Sequence, residues 1–263
     1  DWLEVMEEAR GRRFAVRLKT NGYRLSESEA RRLADLAVLA VDVSLYGASA
    51  ATHDGVTLVE GSFDRTWKTI ELLRDLGIQV VLRSPILSEN AGEIRALVAR
   101  ARDRGCDITF DAWVTGRLDG RGDNAALRAT EAQLTASFRG LVAEGLLECC
   151  PDEGGHHGSC MDPAGGLYVT AEGMVRRCPL LDFDLGSVLE QPIGTIWRGS
   201  PRRAALEALV RQVPADCGTC EHSGSCSPCA ARSLLEHGRV DRPTTMACRA
   251  AAAMRALVRD GSP

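Results

Sequence analysis

Up to about position 145, the apolar residues of this chain switch repeatedly between a helical and an extended rhythm. Leu3, Val5, Met6 and Ala9 share one side of a short opening helix that Gly11 closes. Phe14 to Lys19 reads as a strand, stopped by the turn pair Asn21-Gly22. Ser26, with Glu29 three residues on, forms a capping box and starts a helix over 27–37. Val38 to Leu45 is a nearly unbroken apolar run, interrupted by Asp42 and Ser44, and reads as a strand buried on both faces. Ser62 caps the next helix, in which Phe63, Trp67, Ile70, Leu73 and Leu76 recur at helical spacing before Gly77. A strand over 78–83, a helix over 91–104 and a strand over 106–110 follow. Strands alternating with helices of this length predict βα units and a parallel sheet. Side chains that act in such sheets sit just past the carboxyl ends of the strands. Here those ends are Thr20-Asn21-Gly22, Ser44 to Gly47, Arg83-Ser84-Pro85 and Asp111 to Trp113.

The rhythm then changes. Residues 114–128 have loop composition, and a helix over 131–145 carries Leu134, Phe138, Leu141 and Val142. Past Cys149-Cys150-Pro151 the chain turns polar, so we expect one domain over 1–148 and a second over 149–263. In the second, Gly173 lies between two short apolar runs and predicts a hairpin tip that returns Cys178 towards Cys160. A short strand near 185–188, helical segments from 193 and over 202–212, and helices near 228–237 and 246–259 complete the chain.

The second half is distinguished by its cysteines: Cys160, Cys178, Cys217, Cys220, Cys226, Cys229 and Cys248, spaced C-x12-G-x4-C, then C-x2-C-x5-C-x2-C, then a last Cys. Thiolates two residues apart can face one metal centre across a tight turn. Seven sulfurs exceed what one four-coordinate ion uses, so either two centres share them or one is idle. A disulfide framework suits short secreted chains without a core, whereas this chain has 263 residues, 44% of them hydrophobic, and opens on no apolar signal segment. Structural zinc and iron–sulfur clusters both fit the pattern, and spacing alone leaves them open.

Composition removes other classes of function. A net charge of −4 provides no basic surface for nucleic acid, and no apolar run is long enough to span a bilayer. Ten cysteines held as thiols or metal ligands imply a reducing compartment, most simply the cytoplasm. The start at Asp1-Trp2-Leu3 has no initiator Met and runs straight into helical periodicity, so we expect the beginning of the protein to lie elsewhere.

Two separate features coincide with one family. The array from Cys160 to Cys248 closely resembles the SPASM domain that follows the catalytic barrel in many radical S-adenosylmethionine (SAM) enzymes. It departs in one spacing, because two residues rather than three separate Cys226 from Cys229. Independently, Leu18 to Gly22 and Val41 to Gly47, followed by His53-Asp54 and Gly61-Ser62-Phe63-Asp64, resemble the middle of the radical SAM barrel. The resemblance implies an α/β protein: a partial radical SAM (β/α) barrel, then a small SPASM iron–sulfur domain. It favours iron–sulfur over zinc. Family chemistry depends on a C-x3-C-x2-C loop and a Gly-Gly-Glu-Pro stretch, and neither occurs in these residues. We therefore expect that the chain as given cannot cleave SAM by itself.

The resemblance also implies roles. Cys160, Cys178 and Cys229 would hold an inner auxiliary [4Fe–4S] cluster, with Cys150 or Cys149 upstream as the remaining ligand and His156 or His157 as other candidates. Cys217, Cys220, Cys226 and Cys248 would hold an outer one, while Cys106 reads as core. Ser44 would bond the carboxylate of SAM, with Arg65 as a second contact. Arg83 and Asp111 end strands towards the cavity, either as substrate contacts or as an ion pair with each other. Pro179 stands where relatives that oxidise sulfatases carry an aspartate base, which leaves modification of a ribosomally made peptide or protein as the expected activity. A ferredoxin or flavodoxin would donate electrons. The rival expectation is a non-catalytic iron–sulfur or zinc module that binds a peptide.

Overall fold

A computed structural model of the chain describes residues 1–119, 122–148, 166–226 and 228–259. The chain divides into two compact units, one of residues 1–112 and 132–148, the other of 113–131 and 149–263.

The first unit is built on a four-stranded, all-parallel sheet in the order β1 (Arg17–Thr20), β2 (Ala40–Ser44), β3 (Val80–Pro85), β4 (Asp107–Asp111). Helices α1 (Trp2–Gly11), α2 (Glu27–Asp35), α3 (Ala50–Thr57), α4 (Ser62–Asp75), α5 (Ile94–Asp103) and α6 (Glu131–Ala143) complete it. Alternation along the strands sorts side chains to two faces. Val41, Val43, Val80, Leu82 and Ile108 pack on one core with Leu33 of α2, Ile70 and Leu73 of α4, and Leu97 of α5. The other face is polar. There the Asp42 carboxylate, only 1% exposed, receives Arg17 Nε at 2.7 Å and Arg83 Nε at 3.1 Å, and Arg83 also donates to Thr109 Oγ1 at 2.8 Å. An ionised carboxylate tolerates such burial only because charge-assisted bonds from both flanking strands replace its water.

Several sequence expectations need correction. Strand β1 begins at Arg17, leaving Phe14 63% exposed outside it, and β2 begins at Ala40, with Leu39 also exposed. Val5 faces solvent, and Trp2 takes its place beside Met6 and Leu3 at the core. Helix α3, absent from the sequence reading, fills the interval after β2. Ser62 is the first residue of α4 rather than its cap. The N-cap is Gly61, with φ 75°, and the cap oxygens come from Asp54 of α3, which accepts from Gly61 N (2.7 Å), Ser62 Oγ (2.8 Å) and Phe63 N (2.8 Å). The capping box of Ser26 and Glu29 on α2 is present as expected.

The second unit holds a three-stranded antiparallel sheet, β5 (Tyr168–Val169), β6 (Met174–Arg176) and β7 (Gly186–Ser187). Gly173, at φ 84°, supplies the left-handed turn at the hairpin tip. Around it lie α7 (Ile193–Gly199), α8 (Arg203–Val210), α9 (Ala230–His237) and α10 (Thr245–Arg259). Val175, Leu185, Ile196, Leu206 and Ala231 form its core. Residues 113–131 join this unit through side chains that run back to α9 and α10. The Arg232 guanidinium lies 4.0 Å from the Trp113 ring centroid, Arg128 pairs with Glu236 at 3.1 Å, and Arg249 donates to the Ala129 carbonyl. Among the described residues no helix is long and apolar enough to cross a membrane.

Removing the Asp42 carboxylate strips both arginines of their shared anion, so Asp42→Ala is expected to cost about 2–4 kcal/mol of stability. Arg17→Ala, which leaves Asp42 with Arg83, should cost only about 1 kcal/mol. Urea unfolding followed by tryptophan fluorescence measures both, and equal costs would remove the carboxylate from its central place in the sheet.

Candidate functional site

Of the expected cofactor residues in the first unit, Ser44 lies at the carboxyl end of β2 and Arg65 on α4. Ser44 closes β2, half-buried on the polar face, in register with Arg83. Arg65 occupies the first turn of α4, exposed, its guanidinium 4.8 Å from the ring centroid of Tyr23 in the connection after β1. Gly22, at φ 70°, lets that connection turn inward, and α4 ties it down: Thr66 Oγ1 donates to the Asn21 carbonyl and Thr69 Oγ1 to the Gly22 carbonyl. A side chain at Gly22 would also meet Val43 Cγ1 at 3.2 Å. Asn21-Gly22 is thus a structural turn.

The loop after β2 is held more tightly still. Gly47 packs so closely on Thr52 and the His53 backbone that a Cβ would approach within 2.6 Å of Thr52 Cβ. The Tyr46 N–H donates to His53 Nδ1 at 3.1 Å, which requires that nitrogen to be an unprotonated acceptor. Burial lowers the His53 pKa, only partly offset by Asp54. Asp54 in turn is held below the usual carboxylate range, mainly by the Phe63 N–H, with Ser62 and Gly61 adding to it. Two residues from the loop after β3 complete the clamp. Glu93 accepts from Ala48 N (2.6 Å), Thr52 Oγ1 (2.6 Å) and Ser49 Oγ (3.3 Å). Fully buried Asn90 donates to the carbonyls of Tyr46 (3.0 Å) and Pro85 (2.8 Å) and accepts from Leu87 N (2.8 Å). The sequence reading missed this clamp. The ion pair expected between Arg83 and Asp111 is instead one between Arg83 and Asp42.

In the second unit Cys217, Cys220, Cys226 and Cys248 line one cavity of about 30 Å³, with His222, Ser223, Pro228, Pro243, Thr244, Ala247 and Ala251 as the remaining wall. Two short 3₁₀ turns, Ala215–Cys217 and Ser223–Ser225, fold the dense group back on itself, so that Cys220 N reaches the Cys217 carbonyl and Cys226 N that of Ser223. Helix α10 brings in Cys248. Its first turn is fixed where Glu236 of α9 accepts from Thr245 N at 3.1 Å. Burial first, and then the neighbouring thiols of Cys248, Cys217 and Cys220, push the Cys226 thiol up to about 11. Cys217 is raised for the same reasons.

Cys178 and Cys229 are separate from this cavity, and both pack against the core of the second unit. Cys149, Cys150, His156, His157 and Cys160 lie outside the described residues. Cys106 is buried at the foot of β4, where desolvation raises its pKa, as core placement predicts. No disulfide bond joins the described cysteines to one another. Among the described residues, no group of three or more His, Cys, Asp or Glu side chains is placed to hold a metal ion.

These two units, a parallel βα sheet and a cysteine-lined antiparallel module, have known counterparts. Residues 1–101 match the model of the radical SAM superfamily, and residues 160–230 match that of SPASM, an iron–sulfur cluster-binding domain. The chain is a radical SAM/SPASM domain protein. Such a protein binds iron–sulfur and S-adenosylmethionine. Among curated relatives, the AdoMet-dependent heme synthase of Nitratidesulfovibrio vulgaris is 23% identical, spanning 90% of this chain and 72% of that protein. The mycofactocin maturase MftC of Mycobacterium ulcerans is 28% identical over 86% of this chain and 65% of that protein. Among solved structures, AdoMet-bound anSMEcpe superposes with a TM-score of 0.71 over 99% of this chain and 75% of that one, at 14% identity. Streptococcus suis SuiB bound to its precursor peptide SuiA gives 0.65 over 94% and 62%, at 12% identity.

Because the folded His53 pKa lies below its unfolded value, folding excludes a proton there. Its stabilisation is complete above the unfolded pKa of about 6.5 and is lost as the pH falls through that value towards the folded one. The thermal midpoint is therefore expected to drop between pH 7.5 and pH 5.5, and His53→Gln should flatten that drop. An unchanged slope in the variant would exclude His53 as its source.

Proposed function

We propose that this chain is the SAM-contacting and cluster-binding portion of a radical SAM oxidoreductase that modifies a ribosomally made peptide or protein. The observation that carries the reading is the convergence of four cysteines, drawn from the 217–226 segment and from α10, on one cavity. Cys217, Cys220, Cys226 and Cys248 would hold the outer of two auxiliary [4Fe–4S] clusters as a complete thiolate set. Cys178 and Cys229 would hold the inner one, with Cys160 and Cys150 from outside the described residues. Four thiolates around one cavity fit either a cluster or a zinc ion, and the match of residues 160–230 to an iron–sulfur cluster-binding domain favours the cluster.

At the rim of the first unit, Ser44 and Arg65 would bond the carboxylate of SAM, which supplies the hydrogen-abstracting radical chemistry when bound. What this chain contributes there is rigidity. Glu93, Asn90 and His53 hold the loop beyond Ser44, so the hydroxyl is presented from a fixed frame. The polar face of Asp42, Arg83 and Thr109 would form part of the substrate wall. SuiB bound to a precursor peptide and the maturase MftC support a peptide as substrate. A ferredoxin or flavodoxin would donate the electrons, and the cytoplasm would be the compartment. A second reading comes from the heme synthases, which span as much of the chain and favour a haem precursor instead.

Anaerobic reconstitution should yield about eight irons and eight labile sulfides per chain, the count for two [4Fe–4S] centres. Cys217→Ala should roughly halve both counts, since the outer cluster loses a corner, while Cys106→Ala should leave them unchanged. Zinc without sulfide would sink the proposal. Having no C-x3-C-x2-C loop, the 263-residue chain alone is expected to form no 5′-deoxyadenosine from SAM under reducing conditions.

A further inference from the structure

The cavity of the four thiols has a wall residue that neither the cysteine spacing nor the family match assigns a role. His222 lies between Cys220 and Cys226 in sequence and lines the cavity with them. Its backbone N–H donates to Cys220 Sγ at 3.4 Å, so the residue is tied to one of the thiols. Its Nδ1 is buried and has no hydrogen-bond partner among the described residues. Leaving such an atom unsatisfied costs about 1–3 kcal/mol, so a group that fills the cavity is expected to partner it. The rest of the wall offers little. Pro228, Pro243, Ala247 and Ala251 are apolar there, and the hydroxyls of Ser223 and Thr244 are the other polar groups besides the thiols, that of Thr244 accepting from Ala247 N.

We propose that His222 is a positioning residue for the outer cluster, its Nδ1–H donating a hydrogen bond to a cluster sulfur and raising that cluster's reduction potential. The inference rests on the reading that Cys217, Cys220, Cys226 and Cys248 hold iron–sulfide. Sulfur on a cluster carries negative charge and only accepts, so the imidazole must present a proton towards it, and a neutral ring has one N–H to give. Four thiolates already complete the coordination, which leaves the ring outside the ligand set. A donor at this place draws electron density from the sulfur and favours the reduced, more negative state. Histidine two residues after a ligand thus sets how readily the cluster takes an electron without touching iron.

The test uses the full chain, anaerobically reconstituted, as wild type, His222→Phe and His222→Gln. Iron and sulfide are counted, and each cluster's potential is read by a redox titration followed by electron paramagnetic resonance. His222→Phe is expected to keep the full iron and sulfide content and shift one of the two potentials to more negative values. His222→Gln, which retains an N–H donor, should recover part of that shift. Two intact clusters with unchanged potentials in His222→Phe would overturn the inference alone, and selective loss of iron from one cluster in both variants would overturn it in favour of direct ligation. A wild-type chain that holds zinc and no sulfide would overturn the cluster reading first, and the role of His222 with it.

Discussion

The second unit depends on an electrostatic constraint: in a small apolar space shared with Cys220, burial raises the thiol pKa of Cys217, Cys226 and Cys248. Burial and mutual proximity keep Cys226 protonated far above neutrality. Four thiolates can coexist there only around a compact positive centre, and binding that centre releases protons as it is bound. The 3₁₀ turns of the dense group, the anchor of Glu236 on the first turn of α10 and the packing of that helix all bring the sulfurs together. In a small unit whose sheet has strands of two or three residues, the free energy of binding such a centre would count directly towards folding.

The first unit answers a different constraint with the same economy of parts. Its sheet buries one face under helices and keeps the other polar. Strict alternation does this in β2, where Val41 and Val43 enter the core while Asp42 and Ser44 face away. The single charge within an apolar run looks in sequence like a flaw in a buried strand. In the fold it is the shared anion of two neighbouring strands.

Much of this was legible in the sequence because it follows from local rules. The parallel sheet, the capping box at Ser26, the turn at Gly22 and the hairpin at Gly173 each announce themselves through residues a few positions apart. What escaped depends on partners distant in sequence. Asp54 caps a helix that is not its own, so Ser62 looked like the cap. Phe14 and Val5 are apolar but lie where the fold offers them no core. The segment 113–131 reads as a loop trailing the sheet, yet Arg128, Arg232 and Arg249 bind it to the second unit. Spacing singled out all seven thiols of the array, and the family resemblance grouped the four that share the cavity. His222, Glu93 and Asn90 carry no spacing signature, and only the geometry reveals them.

Glu93 has a mechanical consequence. One carboxylate grips the backbone and hydroxyls of Ala48, Ser49 and Thr52, while its neighbour Asn90 grips Tyr46 and Pro85. The turns that follow two adjacent strands are thereby bolted into a single bracket, and neither can shift without dragging the other. Drift in an insertion or a bulky substitution on the second turn would be transmitted directly to the first. Evolution of new substrate contacts at this edge is thus steered away from the bracket and towards the polar side chains of the strands themselves.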